Sequence, residues 1–494
     1  MPPDIVVRSL RELLAGFSAD APDLGVRDLT LDSRQVNEGA LFLACRGRRE
    51  HGLKHLPQAL ARGAAAVLWE PAPGVAVPAS DIPAIAVENL SERAGEIAAR
   101  FFGQPAQKLH GIGVTGTDGK TSTAYLIAQA LERLGCPGFY IGTLGWGRTG
   151  SLNRGDLTTP DPINLQRWLR RAVDDGCEAV AMEMSSIGLH QSRASGVRFH
   201  TAVLTNVGRD HLDYHGTLEN YTAAKRRLFE RAELQSRVLN RDDITGRKWA
   251  DEFSGVTVYG LDGEPPRGAR HVLGRNLQMT ASGISFEVDS HAGRSRIASR
   301  LLGRFNAYNL LAALAALLEK EVAVDEACAA LSACGTVPGR IEGFRGAGNQ
   351  PLVVVDYAHT PQALAQVLQA VRAHTTGKLW CVFGCGGDRD RGKRPLMAAA
   401  AARYADRVIV TDDNPRSEDP AGIVREIWSG FPPGREPPVI HDRARAIETA
   451  VREAGADDVV VVAGKGHEDY QLYGTERRAF SDRDFVRTLV GQPS

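Results

Sequence analysis

Short apolar runs alternate with amphipathic stretches along most of the chain. In the last third, four runs rich in Val and Ile each precede a helical pattern, and they read PLVVVDYAH, KLWCVFGCGG, DRVIVTDDN and DDVVVVAGKG. Strands that are apolar on both faces and alternate with helices are typical of a parallel sheet covered on both sides. We therefore predict an α/β fold in which ligands bind beyond the carboxyl ends of the strands.

The pattern divides into three blocks, residues 1–105, 106–336 and 337–494. The first contains the strand-like runs GALFLAC, AAAVLWE and PAIAVEN and closes with the helix-like LSERAGEIAARFFG. The stretch QPAQK that follows is interpreted as a linker. The second block opens with the strand LHGIGVTG, and its segment SGISFEVDSHAGRSRIAS predicts a hairpin. A length of 494 residues fits three domains of about 150 residues each.

Composition narrows the class of function. The 59 basic residues balance 59 acidic ones, which argues against a broad surface for nucleic acid or for an anionic membrane. Seven scattered cysteines without a CxxC pair argue against a disulfide framework and a zinc site, and fit a reducing cytosol. The N-terminal stretch mixes charges into its apolar pattern, unlike a signal peptide. The longest apolar run, Leu310–Leu318, is too short to span a membrane, and we expect a cytoplasmic monomer.

The most informative stretch is GIGVTGTDGKTSTAYLIAQALERLG, in which a strand runs through a glycine-bearing turn into a helix of about four turns. Gly116 and Gly119 permit close approach of the backbone to an anion, Lys120 can reach terminal phosphates, and the Thr121 hydroxyl suits Mg²⁺. Val114 stands where the strict P-loop pattern has its first glycine. The alternative is an ordinary turn with a solvated lysine. We predict an ATP or GTP enzyme that is not an ordinary P-loop kinase or GTPase.

A second group of polar residues follows two later strands. His211 and His215 are either half of a zinc site or structural histidines, although no HExxH glutamate is present. Glu183 ends the strand CEAVAME, at the edge where the phosphate loop lies, and one carboxylate there suits a Mg²⁺ held by a loop hydroxyl. The alternative for Glu183 is a salt-bridged surface residue. Lys225 by spacing alone is a solvated helix lysine.

The stretch RVIVTDDNPRSEDP places Arg416 just past the end of a predicted strand. It is either part of a solvated turn or a guanidinium that binds the carboxylate of a ligand. Pro415 restricts the backbone before it. Asp419 and Pro420 predict the N-cap and first position of the next helix.

Several motifs together resemble the Mur ligases of peptidoglycan synthesis over essentially the whole chain: TGTDGKT, DHLDYH, GRFNAYNLLAA, VPGRIEGF, VDYAHTPQAL and GCGGDRDRGKRP. The stretches LTLDSRQVNEGALFLACRG, TTPDP, EMSSIGLHQSR and DNPRSEDP resemble the branch that adds the third peptide residue to UDP-N-acetylmuramoyl-L-alanyl-D-glutamate. The resemblance implies a three-domain α/β fold. Its parts are a UDP-substrate-binding domain, a central P-loop-type ATPase domain with a parallel sheet, and a C-terminal Rossmann-like domain that binds the amino acid.

The resemblance also implies roles for individual residues. The uridine diphosphate end is held by Leu31, Ser33, Arg48, Arg49 and Glu50, and the muramoyl-dipeptide arm by Thr158, Thr159, Ser185, Gln191 and Arg193. ATP is held by Gly116, Thr117, Asp118, Gly119, Lys120, Thr121, Ser122, Asn306 and Arg340. Magnesium lies near Thr121, Glu183, His211 and Lys225, the last as a CO₂-derived carbamate; Lys120, Lys225 and His211 are the implied catalytic residues. The incoming amino acid is held by Arg389, Asp413, Asn414, Pro415, Arg416, Gly464 and Glu468.

The implied reaction joins meso-2,6-diaminopimelate to UDP-N-acetylmuramoyl-L-alanyl-D-glutamate with ATP and Mg²⁺, through an acyl phosphate. Carbamylation of Lys225 needs a neutral amine, and we expect Arg226 and Arg227 to favour it by disfavouring the ammonium. A lysine-adding member, a folylpolyglutamate synthase and a nucleotide-binding switch are the alternatives. Asp118, Ser122 and Ile187 depart from the usual family residues, which leaves side-chain details open but not the backbone cradle.

Overall fold

The computed structural model describes residues 7–47, 50–261, 263–264, 268–346 and 350–491. The chain forms two compact units. The first comprises Met1–Tyr259, Pro266–Arg270 and Ala312–Val322. The second comprises Gly260–Pro265, His271–Leu311 and Ala323–Ser494. Within the described residues, every helix is too short or too polar to cross a bilayer.

The N-terminal part of the first unit is a small α/β layer. Its strands are β1 Arg8–Ser9, β2 Gly25–Val26, β3 Asp28–Thr30, β4 Ala40–Ala44, β5 Ala66–Trp69 and β6 Ala84–Ala86, and its helices are α1 Leu10–Leu13, α2 Leu56–Ala61 and α3 Leu90–Phe101. Strands β3, β4, β5 and β6 pair in that order and are all parallel. All five residues of β4 are buried because the strand has apolar clusters on both faces. The three strands and the closing helix predicted for this block are confirmed.

The rest of the first unit is built on a larger sheet. Its strands are β7 His110–Thr115, β8 Gly138–Gly142, β9 Gly145–Arg148, β10 Ser151–Asn153, β11 Ala179–Glu183, β12 Thr201–Leu204, β13 Ser236–Asn240 and β14 Val256–Leu261. Its helices are α4 Lys120–Arg133, α5 Pro162–Asp174, α6 Ser186–His190, α7 Leu212–His215, α8 Leu218–Phe229 and α9 Ile244–Glu252. Strand β7 lies between β11 and β12, parallel to both, so the carboxyl ends of these three strands meet at one edge.

The expected linker after the first block is a packed element. Pro105–Lys108 forms a turn of 3₁₀ helix in which Pro105 and Ala106 are buried. Ala106 belongs to the same apolar cluster as Leu109 and Phe139. The segment is therefore a packed connection rather than an exposed one, because two small apolar residues in it are buried, and its role as a linker between domains stays a prediction.

An antiparallel meander of three strands comes next in the chain, β15 Arg270–Thr280, β16 Gly283–Ser290 and β17 Gly293–Ser299, followed by the helices α10 Arg304–Leu318 and α11 Val324–Ser332. These elements belong to the second unit except for Arg270 and residues 312–318 of α10, which belong to the first. The predicted hairpin is confirmed as β16 and β17. A parallel sheet follows. Its strands are β18 Glu342–Phe344, β19 Leu352–Asp356, β20 Leu379–Phe383, β21 Arg407–Val410 and β22 Val459–Ala463, with a separate hairpin of β23 Tyr470–Tyr473 and β24 Glu476–Ala479. Its helices are α12 Pro361–Arg372, α13 Lys393–Tyr404, α14 Pro420–Trp428, α15 Arg443–Glu453 and α16 Asp482–Leu489.

This C-terminal sheet has the order β18-β19-β22-β20-β21, parallel except for β18 at one edge. Alternate residues of β22 enter two different apolar clusters: Val461 packs on one face and Val460 on the other. The four Val/Ile-rich runs of the last third are therefore parallel strands buried on both faces, as predicted. Asp419 caps α14 through the Ala421 and Gly422 amides, as its sequence also predicted.

Candidate active site

The phosphate loop follows β7 and leads into α4. Gly116 and Gly119 adopt φ values of +150° and +81°, where a side chain is strained. A Cβ at Gly116 would also collide with the hydroxyl of Thr205. Ser122 lies in the first turn of α4. The sequence therefore predicted the strand, the turn and the helix correctly, and both glycines are needed for the turn.

Two residues after β12 brace this loop. The Thr205 hydroxyl donates to the Asp118 carbonyl at 2.6 Å. Asn206 accepts the Thr117 amide on its carbonyl at 2.8 Å and the Asp118 amide on its side-chain oxygen at 3.0 Å. Neither Thr205 nor Asn206 was predicted to have a role, although both follow an apolar strand that ends at the same edge as the phosphate loop. Because the bracing uses the backbone of Asp118, the unusual side chain there leaves the cradle intact.

Two lysines share one loop carbonyl. The Lys120 ammonium donates to the carbonyls of Gly116 at 3.0 Å and Thr117 at 2.7 Å. Lys225, from α8, donates to the same Gly116 carbonyl at 2.6 Å and is only 1% exposed. Burial lowers the pKa of Lys120 below its usual value. The structure thus brings together the two lysines that the sequence named as catalytic.

Lys225 lies in a site that favours its neutral form. Its Nζ is 4.2 Å from the centre of the Tyr221 ring. Burial, and then the nearby Lys120 ammonium, lowers the pKa of Lys225 to about 6. The expectation that Arg226 and Arg227 cause this effect is wrong. Arg226 pairs with acidic residues of the helical surface, and Arg227 donates to the His190 carbonyl.

Glu183, at the end of β11, is 1% exposed and fully engaged. One carboxylate oxygen accepts the Thr121 hydroxyl at 2.8 Å, and the other accepts the Thr143 amide at 2.8 Å and the Tyr140 hydroxyl. The pairing of Thr121 with Glu183 agrees with the predicted edge, and the alternative of a surface glutamate is wrong. Tyr140, in β8, and Thr143, just after it, were not predicted, because they lie 43 and 40 residues before Glu183 in the sequence.

The two histidines of the DHLDYH run have different surroundings. His215 is buried and its Nε2 pairs with the Ser186 hydroxyl at 3.1 Å, so it is one of the structural histidines considered above. His211 is half-exposed, at φ +50°, with its ring 6.4 Å from the Tyr221 ring. Among the described residues, no group of three His, Cys, Asp or Glu side chains could hold a metal. A zinc site at this run is therefore not supported.

The residues expected to hold the muramoyl-dipeptide arm form one connected cluster. The Thr159 hydroxyl donates to the Ser185 hydroxyl at 3.1 Å, and Arg193 donates to the Thr159 carbonyl at 2.7 Å. Arg193 also binds the side-chain oxygen of Gln191 at 2.7 Å. Thr158 shares a hydrogen bond of 3.0 Å with the Thr143 hydroxyl. The cluster thus adjoins the partners of the carboxylate at the end of β11.

A cavity of about 660 Å³ lies between β3, α2 and α5, with Leu31 and Ser33 in its wall. The Ser33 hydroxyl donates to Gln58 at 2.7 Å. Glu50 is exposed and pairs with His55, which also lines the cavity. Arg48 and Arg49, predicted to bind the same ligand, lie outside the described residues.

In the second unit, the residues predicted to bind the amino acid meet beyond the ends of β21 and β22. Asn414 donates to Glu468 at 3.0 Å, and the buried Lys465 donates to the same carboxylate at 2.9 Å. Burial raises the pKa of Asp413. Its carboxylate lies close to Gly464, because a Cβ on that glycine would stand only 2.5 Å from the Asp413 Oδ2 atom. Lys465 was missed, although it sits between two predicted residues at the carboxyl end of a strand.

Arg416 follows Pro415 in the left-handed region, at φ +53°. Its guanidinium donates to the Gly387 carbonyl at 2.8 Å. Arg389 lies on the same segment as Gly387 and donates to the Asp388 carbonyl at 3.3 Å. Arg416 is therefore partly buried and hydrogen-bonded at this edge of the sheet rather than freely solvated, and its contact with a ligand stays a prediction.

Two residues predicted to bind ATP lie in the second unit. Asn306 is 4% exposed and donates to the Leu302 carbonyl at 2.8 Å, one turn earlier in the chain. The Arg340 guanidinium lies 5.5 Å from the centre of the Tyr357 ring. Their contact with a nucleotide stays a prediction.

Comparisons with known proteins agree with this geometry. Three family models match the chain: the Mur ligase family catalytic domain over residues 26–102, the Mur ligase middle domain over 114–317, and the Mur ligase glutamate ligase domain over 339–466. The chain is 50% identical, over 96% of both chains, to the UDP-N-acetylmuramoyl-L-alanyl-D-glutamate–2,6-diaminopimelate ligase of Alkalilimnicola ehrlichii. The protein of the same name from Pseudomonas putida is 47% identical, over 94% of this chain and 95% of its own. A solved structure of that name superposes with a TM-score of 0.78 at 37% identity, covering 98% of this chain and 99% of the other.

Proposed function

The chain belongs to the Mur ligase family, and we propose that it joins meso-2,6-diaminopimelate to UDP-N-acetylmuramoyl-L-alanyl-D-glutamate with conversion of ATP to ADP and phosphate. The protein is thus an ATP-dependent amide-bond-forming ligase of peptidoglycan precursor synthesis. The observation that carries the choice of amino acid is Arg416, held on the Gly387 carbonyl at the carboxyl edge of the C-terminal sheet.

The charges around Arg416 suit a diamino diacid. Diaminopimelate carries an ammonium and a carboxylate at each end. Arg416 and Arg389, on two neighbouring segments, supply cations for a carboxylate, and Glu468 supplies an anion for an ammonium. Lysine lacks the second carboxylate, so a guanidinium aimed at that position gains nothing from it.

The first unit is built for the activation step. Transfer of the γ-phosphoryl group of ATP to the D-glutamate carboxylate gives an acyl phosphate and ADP. The amine then attacks the carbonyl carbon, and the phosphate leaves with its bonding electrons. Two anions must meet in the first step, and Lys120, held in the phosphate loop, offsets their repulsion. The loop amides at the N-terminus of α4 bind the other phosphate oxygens.

The residues at this edge fit a magnesium ion. The Thr121 hydroxyl and the Glu183 carboxylate lie 2.8 Å apart, and both offer the oxygen donors that Mg²⁺ prefers. We assign them as its protein ligands, with His211 nearby on the loop before α7. Mg²⁺ bound there would neutralise phosphate charge during transfer.

We also propose that Lys225 is carbamylated by CO₂. The neutral amine nitrogen bonds to the carbon of CO₂ and loses a proton, which turns an uncharged amine into an anionic oxygen donor. Support comes from the burial of Lys225 and from its low pKa, about 6, which leaves the amine neutral and nucleophilic at pH 7.

Lys225→Ala tests this proposal. It should lose nearly all turnover and recover part of it when acetate or bicarbonate is added. Lys248→Ala, which removes an exposed lysine of α9, should match wild type. Wild-type turnover in Lys225→Ala would contradict the proposal.

The remaining substrate contacts are proposals supported by position. Leu31 and Ser33 in the wall of the 660 Å³ cavity suit the uridine diphosphate end. The cluster of Thr158, Thr159, Ser185, Gln191 and Arg193 suits the dipeptide arm, because it adjoins Glu183, the proposed magnesium ligand. Asn306 and Arg340 are proposed to contact the nucleotide.

The division into residues 1–105, 106–336 and 337–494 is proposed as the domain organisation. The bounds of the three matching family models, 26–102, 114–317 and 339–466, support it. We also propose that the enzyme works in the cytoplasm as a monomer, without nucleic-acid or membrane partners. The seven scattered cysteines, without a CxxC pair, suit a reducing compartment.

A substrate panel tests the function. The purified protein is given ATP, Mg²⁺ and UDP-N-acetylmuramoyl-L-alanyl-D-glutamate, and phosphate release is followed with meso-diaminopimelate, lysine or D-alanyl-D-alanine. A separate reaction contains folate and glutamate. Release should require the UDP substrate and be fastest with diaminopimelate. Equal turnover with lysine would overturn the choice of amino acid, and turnover with folate alone would overturn the class of substrate.

A further inference from the structure

Two loops at the amino-acid site pack backbone against backbone. We call residues 384–391 the glycine loop and residues 411–418 the arginine loop. The Gly387 amide donates to the Asn414 carbonyl at 2.9 Å, and the Arg416 guanidinium donates to the Gly387 carbonyl at 2.8 Å. A Cβ on Gly387 would collide with the Pro415 carbonyl. The position of the Arg416 guanidinium therefore depends on where the glycine loop lies.

Beneath these loops lies Arg394, whose side chain is fully buried although it is charged. It sits in the first turn of α13, where the helix dipole disfavours a cation. Its guanidinium donates to Glu418 at 2.8 and 2.9 Å, to Glu426 at 2.7 Å and to the Gly386 carbonyl at 3.2 Å. A charge buried at such a position needs partners of this kind, and they bind both terminal nitrogens of the guanidinium, whereas its buried Nε has none. Arg394 thus ties the glycine loop to the end of the arginine loop.

Glu418 completes the connection from the other side. The Glu418 Oε1 atom accepts a hydrogen bond from Arg394 at 2.8 Å and another from the Asp388 amide at 2.6 Å. The Asp388 carboxylate in turn accepts the Ser417 amide at 3.1 Å and hydroxyl at 2.6 Å. Asp388 adopts φ +53°, a left-handed conformation that is strained for a residue with a Cβ. The bonds to Glu418 and Ser417 hold it there.

The arginine loop is fixed on its far side by the hairpin of β23 and β24. The Arg416 amide donates to the Leu472 carbonyl at 3.0 Å, and the Gly474 amide donates to the Arg416 carbonyl at 2.6 Å. The backbone of Arg416 is thereby set by the hairpin, whereas its side chain is set by the glycine loop. Only the contact of the Arg416 side chain with the glycine loop depends on Arg394 and Glu418.

We propose that Arg394 and Glu418 are positioning residues that set the selectivity for diaminopimelate over lysine, by fixing the Gly387 carbonyl on which the Arg416 guanidinium is held. This inference rests on the proposed function. Neither residue touches the amino acid. Their effect passes through Arg416, so it should appear with a substrate that carries the second carboxylate and be small with one that lacks it.

A matched pair of variants isolates this connection. Glu418→Ala and Glu426→Ala each remove one carboxylate from Arg394, and the two side chains are similarly exposed, at 23% and 28%. Only Glu418 also holds the Asp388 amide. Glu426 instead also pairs with the exposed side chain of Arg391 at the end of the glycine loop, and an ion pair on the surface contributes little. In Glu418→Ala, we expect KM for diaminopimelate to rise roughly 10- to 100-fold, as displaced binding groups do. KM for ATP and for the UDP substrate should stay within about twofold, since neither depends on the arginine loop.

The readout is the ratio of kcat/KM for diaminopimelate to that for lysine, measured beside the thermal unfolding midpoint. The ratio should fall in Glu418→Ala and stay near wild type in Glu426→Ala. An unchanged ratio in folded Glu418→Ala, or an equal fall in both variants, would overturn the inference. Wild-type enzyme that ignores diaminopimelate would instead overturn the proposed function.

A second variant keeps the test decisive if Glu418→Ala does not fold. Ser417→Ala removes only the hydroxyl bond to Asp388 and leaves the buried charges paired. We expect the selectivity ratio to fall in the same direction by a smaller factor. A ratio equal to that of wild type in Ser417→Ala would then refute the inference.

Discussion

Arg416→Ala removes one guanidinium and leaves the backbone of the arginine loop in place. Alanine and arginine are equally strained at φ +53°, because both carry a Cβ. The two backbone hydrogen bonds of this residue, to Leu472 and from Gly474, do not involve the side chain. The variant should therefore fold like wild type and lose only the interaction with the far carboxylate of diaminopimelate.

The size of the loss follows from the bonds exchanged. Two hydrogen bonds between a guanidinium and a carboxylate contribute about 3–6 kcal/mol, and binding surrenders the existing bond to the Gly387 carbonyl, worth about 1 kcal/mol. The net effect is about 2–5 kcal/mol, which corresponds to roughly a 30- to 4,000-fold fall in kcat/KM for diaminopimelate. The fall with lysine should be at most a few-fold, because lysine offers no second carboxylate.

The assay is ADP formation at saturating ATP and UDP substrate, with diaminopimelate or lysine varied. Arg425→Ala is the control, since Arg425 is an exposed arginine of the neighbouring α14. It should leave both kcat/KM values unchanged. If Arg416→Ala keeps the wild-type kcat/KM for diaminopimelate, the carboxylate is bound elsewhere and the assignment of Arg416 is wrong. If both amino acids lose activity equally, Arg416 supports the loop rather than the selectivity.

Three further predictions concern the phosphate edge and the fold. Burial lowers the pKa of Lys225 from 10.5 to about 6, so between these values the folded state holds fewer protons and wild-type stability rises with pH. In CO₂-free buffer Lys225→Met should therefore have a higher Tm than wild type at pH 7, and the difference in Tm should shrink towards pH 10. A difference in Tm that does not change with pH would contradict the lowered pKa of Lys225. Gly142→Ala would drive a Cβ into Glu183 and Tyr140, and should lower kcat about 100-fold and raise the Mg²⁺ concentration required; wild-type kinetics would contradict it. Asp419→Ala removes the α14 cap and should lower the free energy of unfolding, measured in urea, by about 1 kcal/mol. An unchanged free energy of unfolding would show that the cap does not contribute to stability.

The sequence predicts those parts of the fold that are determined by residues close to one another in the chain. The phosphate loop is a strand, two glycines and a lysine within a few residues, and the Val/Ile runs can only be buried strands. The contact of Lys225 with Gly116 spans 109 residues, so only the parallel packing of β7 and β12 creates it. The hairpin of β23 and β24 was missed because all four residues of β24 are exposed, which leaves no alternation of apolar and polar positions.

Sequence proximity also misled at one point. Arg226 and Arg227 follow Lys225 directly, yet on a helix consecutive residues point in different directions. Arg226 reaches Glu230 and Glu252 instead. The cation that does act on Lys225 is Lys120, which the topology supplies from another helix. The effect of a charged residue on its sequence neighbour can therefore be predicted only after the helical periodicity shows which side chains lie on the same face.

The two proposed anion sites are built alike. Lys120 is held on the carbonyls of the phosphate loop, and Arg416 on the carbonyl of Gly387. Ordering either side chain costs up to about 2 kcal/mol, and the enzyme meets this cost before its ligand arrives. A carbonyl is a neutral acceptor, whereas a phosphate or carboxylate is charged and bonds the same cation more strongly. An anionic ligand can therefore replace the carbonyl as the hydrogen-bond acceptor of the ordered cation. A ligand without an anionic group leaves the cation bonded to the carbonyl. Lysine, which has no second carboxylate, would leave Arg416 on Gly387, and that difference is the physical basis of the proposed selectivity.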